Sequence, residues 1–322
     1  YQYQMSIFNS VLFAVNREDH YVEYDVINRL DPNRMLMIGS GGCIALSIKT
    51  TYPDLDLNVI DVNPHQLTHI NKKSKAVQCS DLKELNVHTK DDSCLNQAGK
   101  FETMFQELRD SFIELVSNKK EVLSFFDSDM SDISRSIILE KWTNHNNIST
   151  PFQNVFNDQN INKVFSDEAT KHGSPGSYIN YMKNKILTGL NKKDSHLNPF
   201  LQHIFLGYYQ SDNAFPYMKS KNKLDIPMTE GSILNLDNIY SYDVVSLSNI
   251  FDWSSDTIVK THARYLSQMK KGSAIIIRQI NNHKNWIEIF NDYFTEDKNF
   301  DSYWQEHDRS MFYDHIRLFI RK

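Results

Sequence analysis

Arg34-Met35-Leu36-Met37-Ile38-Gly39-Ser40-Gly41-Gly42-Cys43 decides the fold, together with its sequel Val59-Ile60-Asp61-Val62-Asn63-Pro64-His65-Gln66. The run Arg34 to Ile38 is apolar without alternation, which suits a strand buried on both faces of a parallel sheet. A tight turn follows, then a helix over residues 44–51, a second strand over 57–60, and an acidic residue, Asp61. Strand, glycine turn, helix, strand and terminal carboxylate make the first unit of a nucleotide- or nucleoside-binding α/β sheet. Gly39, Gly41 and Gly42, with Ser40 among them, let the backbone come close to a ligand. The helix behind them offers N–H groups to a carboxylate or phosphate. Asp61 stands where a carboxylate accepts hydrogen bonds from a ribose diol. Pro64 fits the first position of a helix over 65–78, with Asn63 as its cap.

Outward from this unit, residues 1–33 read as an N-terminal helical segment. Phe8, Val11, Leu12 and Val15 fall at helical spacing. The polar cluster Asn16-Arg17-Glu18-Asp19-His20 then leads into a second helix ending at Leu30. Residues 34–85 form the first half of the sheet domain. Over 86–198 glycine is sparse and amphipathic patterns such as Phe105, Leu108, Phe112, Leu115 and Val116 dominate, which predicts a helical insertion. Residues 199–322 return to alternation. Strands are expected at 224–228, 243–247, 274–277 and 316–320, and helices at 254–269 and around 286–294. The alternation predicts a doubly wound, Rossmann-like sheet. Ligands of such sheets bind outside the carboxyl ends of the strands. The polar clusters fall there: Gly39 to Gly42, Asp61 to Asn63, Gly231-Ser232, Asn249 to Trp253, and Arg278. The run Lys72-Lys73-Ser74-Lys75 reads as a solvated helix face.

Composition narrows the function classes. The chain has 322 residues, a net charge of −5 and no dominant charge run, which disfavours a nucleic-acid partner. A hydrophobic share of 40% supplies a real core. The longest apolar stretch, around 35–48, is too short and too interrupted to span a bilayer. The first residues show no secretory signal pattern. Cys43, Cys79 and Cys94 match no zinc spacing and read as reduced thiols of a cytosolic protein. Cys43 reads as a small residue beginning a helix. The twelve histidines show no metal-binding spacing, so no metal site is expected. His315 stands out because it opens the final strand beside Asp308-Arg309-Ser310.

The turn is not G-x-G-x-x-G, and the second half of the sheet carries no phosphate-binding signature. S-adenosylmethionine is therefore favoured over a dinucleotide. The chain resembles the S-adenosylmethionine:diacylglycerol 3-amino-3-carboxypropyltransferases, the first-step enzymes of betaine-lipid synthesis. The resemblance rests on Ile38 to Gly42, Asp61-Val62-Asn63-Pro64-His65-Gln66, Asn198-Pro199-Phe200 with Gly207-Tyr208-Tyr209, Phe251-Asp252-Trp253 and Asp308-Arg309-Ser310, in that order. Asn16-Arg17-Glu18-Asp19 is similar to the family's W-E-D segment, with Arg17 in place of Trp. The end departs too, because it lacks the family's Y-G-G-F-H glycines.

The resemblance implies a class I S-adenosylmethionine-dependent fold and transfer of the 3-amino-3-carboxypropyl group to a hydroxyl of a diacylglycerol-like lipid. 5′-Methylthioadenosine would leave. It further implies peripheral membrane contact and a wide apolar channel between insertion and sheet. Methyl transfer, or nucleoside binding without catalysis, are the alternatives. The expected cofactor-binding residues are Gly39, Ser40, Gly41, Gly42, Asp61, Asn63, Gln66, Gly231, Ser232, Asn249, Asp252 and Trp253. Asp252 and His315 are the candidate general bases. Arg278 or Arg309 is the candidate holder of the substrate carboxylate.

Overall fold

The computed structural model describes residues 8–171, 173–281 and 284–322. Seven strands form one sheet in the order β3-β2-β1-β4-β5-β7-β6. They are β1 (Arg34–Ile38), β2 (Asp56–Asp61), β3 (Met228–Glu230), β4 (Val244–Ser246), β5 (Ala274–Gln279), β6 (Phe294–Glu296) and β7 (His315–Arg321). β1 lies parallel to β2 and β4, β2 to β3, and β4 to β5. β7 is antiparallel to both β5 and β6. This is a mostly parallel, Rossmann-like α/β sheet, and its strand order reverses between β1 and β4.

Alternate residues of the strands feed two apolar layers. Met35, Met37, Leu57, Val59, Val244 and Ile276 face one layer. It also takes residues from α1 (Tyr21–Leu30), α2 (Cys43–Thr51), α3 (Pro64–Gln78) and the helices between α3 and β3. Leu36, Ile60, Val245 and Ile277 face the second layer, with α12 (Asp256–Leu266) and α13 (Trp286–Phe290). The helices between α3 and β3 are α4 (Lys100–Leu115), α5 (Lys119–Phe125), α6 (Asp132–Thr143), α7 (Thr150–Val155), α8 (Asp158–Phe165), α9 (Glu168–Lys171), α10 (Ser177–Leu190) and α11 (Pro199–Phe205). Helices thus dominate the described chain between α3 and β3, and the last of them, α11, lies beyond residue 198. No described helix is long and apolar enough to cross a membrane.

Three expectations need correction. Residues 8–20 are not helical; they form an irregular strap, while residues 1–7 lie outside the described part. The strap's backbone groups bond to side chains of α3 and α4 instead of to each other. Gln66 Oε1 accepts from Leu12 N at 2.8 Å and Phe13 N at 3.1 Å, and Glu102 Oε2 accepts from Ala14 N at 3.0 Å. External partners thus satisfy donors that a helix would satisfy internally. The third strand begins at Met228, after Pro227, which has no N–H for a sheet ladder. The helix expected around 286–294 ends at Phe290; β6 follows, then α14 (Lys298–His307), neither of which the sequence pattern had indicated.

Candidate functional site

The carboxyl end of β2 carries a carboxylate held by neutral donors. Asp61 Oδ2 accepts from Ser40 N and Oδ1 from Asn63 N, each at 2.9 Å. Asp61 is buried, and burial pushes its pKa up to about 6 against the opposing effect of those two N–H bonds. Each oxygen keeps a further lone pair, the requirement for accepting from a ribose diol. Gly231 N donates to Asp61 O at 2.9 Å, which ties the start of the next loop to the same corner. Ser232 Oγ accepts from Leu234 N and so acts as a local cap.

The glycine turn has a second occupant: the chain's own strap. A Cβ on Gly41 would stand 2.2 Å from the Val15 carbonyl carbon, so only glycine lets the strap lie on the turn. Gly42 adopts φ +81°, the left-handed region in which glycine is unstrained. Asn16 Oδ1 accepts from Ile44 N at 3.1 Å. One N–H at the start of α2, expected to await a ligand, is therefore already bonded. Gln66 Nε2 donates to Phe13 O at 2.8 Å and Ser40 O at 2.6 Å, and Asn63 Nδ2 donates to Ser10 O at 3.0 Å. Asn63 Oδ1 also caps α3 by accepting from His65 N. Asn63 and Gln66 thus make their hydrogen bonds to strap, turn and helix. Cys43 begins α2 and is fully buried, as expected of a small residue there.

Lys73 corrects the solvated-face reading. It is fully buried, and its Nζ donates to Gly41 O at 2.7 Å, Ala14 O at 3.0 Å and Cys43 Sγ at 3.1 Å. Ser74 is buried with it, while Lys72 and Lys75 are exposed. Lys73 lies three residues after Ile70 and four before Val77, both core residues. Helical periodicity alone would have placed it inside. The same test finds Glu23, beside Val22 and Val26 on the buried face of α1.

At β4 and β5 the carboxylates meet cations. Arg278 donates to both oxygens of Glu23, at 2.6 and 3.0 Å, and both side chains are buried. Against its burial, Glu23 and Glu18 hold the Arg278 guanidinium firmly charged. Ser246 Oγ also donates to Glu23, at 3.0 Å. Glu18 accepts from Ser248 Oγ and from Tyr313 OH. Arg309 grips Asp19 through Nε at 2.9 Å and Nη2 at 2.7 Å, and stacks 3.9 Å from the Tyr21 ring centroid. Against its burial, that fork holds the Asp19 carboxyl below the usual range. Both arginines expected to hold a substrate carboxylate are therefore engaged by carboxylates of the chain itself.

Asp252 Oδ2 accepts from Asn249 Nδ2 at 2.9 Å and Ile280 N at 3.1 Å, and so links the ends of β4 and β5. Trp253 turns toward the insertion: its Nε1 donates to Tyr178 OH at 3.3 Å and its ring lies 5.2 Å from Phe165. Phe165 also packs on Phe13 and Phe101. His315 pairs with Gln279 at the end of β5, but its imidazole is held by α14. Its Nδ1 lies 2.9 Å from Asp301 Oδ2, on α14. In the order β1-β4-β5-β7 it is three strands, roughly 14 Å, from the glycine turn. Two surface cavities, of about 500 and 450 Å³, open on α10 and on α5. Neither is lined by the turn or Asp61. No cluster of metal-ligating side chains occurs among the described residues. No family model matches the chain, and no curated protein is found as a relative.

Proposed function

We propose that this protein is a class I S-adenosylmethionine-dependent transferase that moves the 3-amino-3-carboxypropyl group to a hydroxyl of a diacylglycerol-like acceptor. The observation that carries the reading is Asp61. It is a buried carboxylate at the end of β2, held by the glycine turn through Ser40 N and by Asn63 N, with acceptor capacity left over. That arrangement suits the diol of an adenosyl ribose. The strand order supports the class, because a single reversed strand lies between β5 and β6 of an otherwise parallel sheet.

S-adenosylmethionine supplies a sulfonium that activates every carbon attached to it, so position decides which carbon reacts. Orientation alone is worth about 7–11 kcal/mol of barrier. The chain's own residues supply the positioning. The strap and Lys73 fix the turn, and Gly39 to Gly42 with Asp61 hold the nucleoside end. Asn249, Gly231 and Ser232 border it. Asp252, in the loop after β4, takes the acceptor's proton; the His315 imidazole is engaged instead by Asp301. The aromatic cluster in which Phe165 and Phe101 of the insertion pack on Trp253 and Phe13 suits an apolar acceptor at a membrane surface. Incubation with S-adenosylmethionine and diacylglycerol vesicles tests the reading, with appearance of the aminocarboxypropyl lipid as the readout. Asp252→Asn is expected to lower turnover by about 10²–10⁴ with little change in nucleoside affinity.

A further inference from the structure

Arg309 and Arg278 show how a guanidinium behaves at this edge. Arg309 uses Nε and Nη2 to hold both oxygens of Asp19, and Arg278 uses its terminal nitrogens on Glu23. Arg17 is buried too, at 8% exposed, yet its Nε and Nη2 make no hydrogen bond. These are the same two nitrogens with which Arg309 grips Asp19. The guanidinium of Arg17 sits 3.7 Å from the Phe105 ring centroid and 5.3 Å from that of Phe101. The carboxylate paired with it is Glu102, whose Oε1 is 3.5 Å from Nη2, too long for a hydrogen bond. The other Glu102 oxygen is taken by Ala14 N.

Charge points the same way. The three N–H groups of Lys73 meet three acceptors, which matches an ammonium. Glu102 is the carboxylate within electrostatic reach of both Arg17 and Lys73. Burying a cation with its donors unpaired is strongly unfavourable unless an anion joins it. The location also fits. Arg17 directly follows Val15 and Asn16, the residues that lie on Gly41 and on the start of α2. Cys43, on α2, and Tyr313, just before β7, are both within electrostatic reach of it.

Resting on the nucleoside reading above, we propose that the Nε–Nη2 fork of Arg17 holds the carboxylate of the methionine end of S-adenosylmethionine. A planar carboxylate matches this fork with two parallel hydrogen bonds. Arg17 then does what Arg278 and Arg309 were expected to do.

Three ligands test this by calorimetry: S-adenosylmethionine, its decarboxylated analogue, and 5′-methylthioadenosine, which has the nucleoside and lacks the amino-acid end. The unaltered protein should bind S-adenosylmethionine about 10²-fold more tightly than the decarboxylated analogue. Arg17→Gln should erase that difference and leave 5′-methylthioadenosine affinity unchanged. Arg17→Lys should keep part of it. Equal affinity of the unaltered protein for the first two ligands overturns the assignment without any variant having to fold. Discrimination that survives Arg17→Gln overturns it as well. If none of the three ligands binds, the nucleoside reading fails first and takes this inference with it.

Discussion

The two halves of the sheet's carboxyl edge treat their carboxylates differently. Asp61, in the first half, is held by two backbone N–H groups and by no cation. Glu23 and Asp19, against the second half, are each gripped by an arginine fork. Neutral donors leave Asp61 spare lone pairs and only partly offset the burial that raises its pKa to about 6. Arginine forks neutralise their partners and make them part of the frame. A carboxylate at a strand end is therefore no measure of a site by itself; the groups that hold it decide whether it is available to a ligand.

The largest effect is expected where the frame is cut. Glu23→Ala leaves Glu18, at 3.5 Å, as the carboxylate beside the buried Arg278, and should cost about 3–5 kcal/mol in denaturant unfolding, as breaking a buried pair does. The double variant Glu23→Gln, Arg278→Met should recover much of this loss. A Glu23→Ala loss below about 1 kcal/mol, the scale of an exposed pair, would erase the contrast between the halves. Gly41→Ala comes next, because its Cβ would meet the strap's backbone. A loss of about 1–3 kcal/mol is expected, with new protease cleavage within residues 8–20. An unchanged digest would show that strap and turn are not joined as described.

Asp61→Asn places an amide against one of two N–H donors. It should cost about 1–3 kcal/mol and weaken S-adenosylmethionine binding about tenfold or more. Retained affinity would mean that the ribose lies elsewhere. The pH dependence sharpens the same point. The ligand prefers ionised Asp61, so affinity should fall as pH drops below about 6 and stay flat above it. The stability term has the opposite sign: the folded state binds this proton more tightly than the unfolded chain. Stability from Asp61 therefore falls as pH rises from about 4 to about 6. A flat affinity profile across pH 5 to 7 would argue against an ionised Asp61 in binding. The smallest effect belongs to His315→Ala. With its imidazole on Asp301 it should change turnover less than about twofold, well under a general-base loss.

The same contrast explains what was legible in the sequence. β1, α2, β2 and α3 follow from local signals: an apolar run, glycines, a capping Asn63 and Pro64 at the first helical position. The first half of the site shares that locality, since Asp61 lies only 21 positions after Ser40. The second half depends on pairs that no short pattern encodes. Glu23 and Arg278 are 255 positions apart, and Asp19 and Arg309 are 290 apart. The strap failed as a helix for a related reason, because its partners Gln66 and Glu102 lie far along the chain. Lys73 and Glu23 were within reach, since each interrupts an apolar helical face.

The most direct test of the central claim is the nucleoside product of turnover with S-adenosylmethionine and a diacylglycerol acceptor. Aminocarboxypropyl transfer predicts 5′-methylthioadenosine, formed in step with the modified lipid. S-adenosylhomocysteine in its place, with a methylated acceptor, would contradict the account.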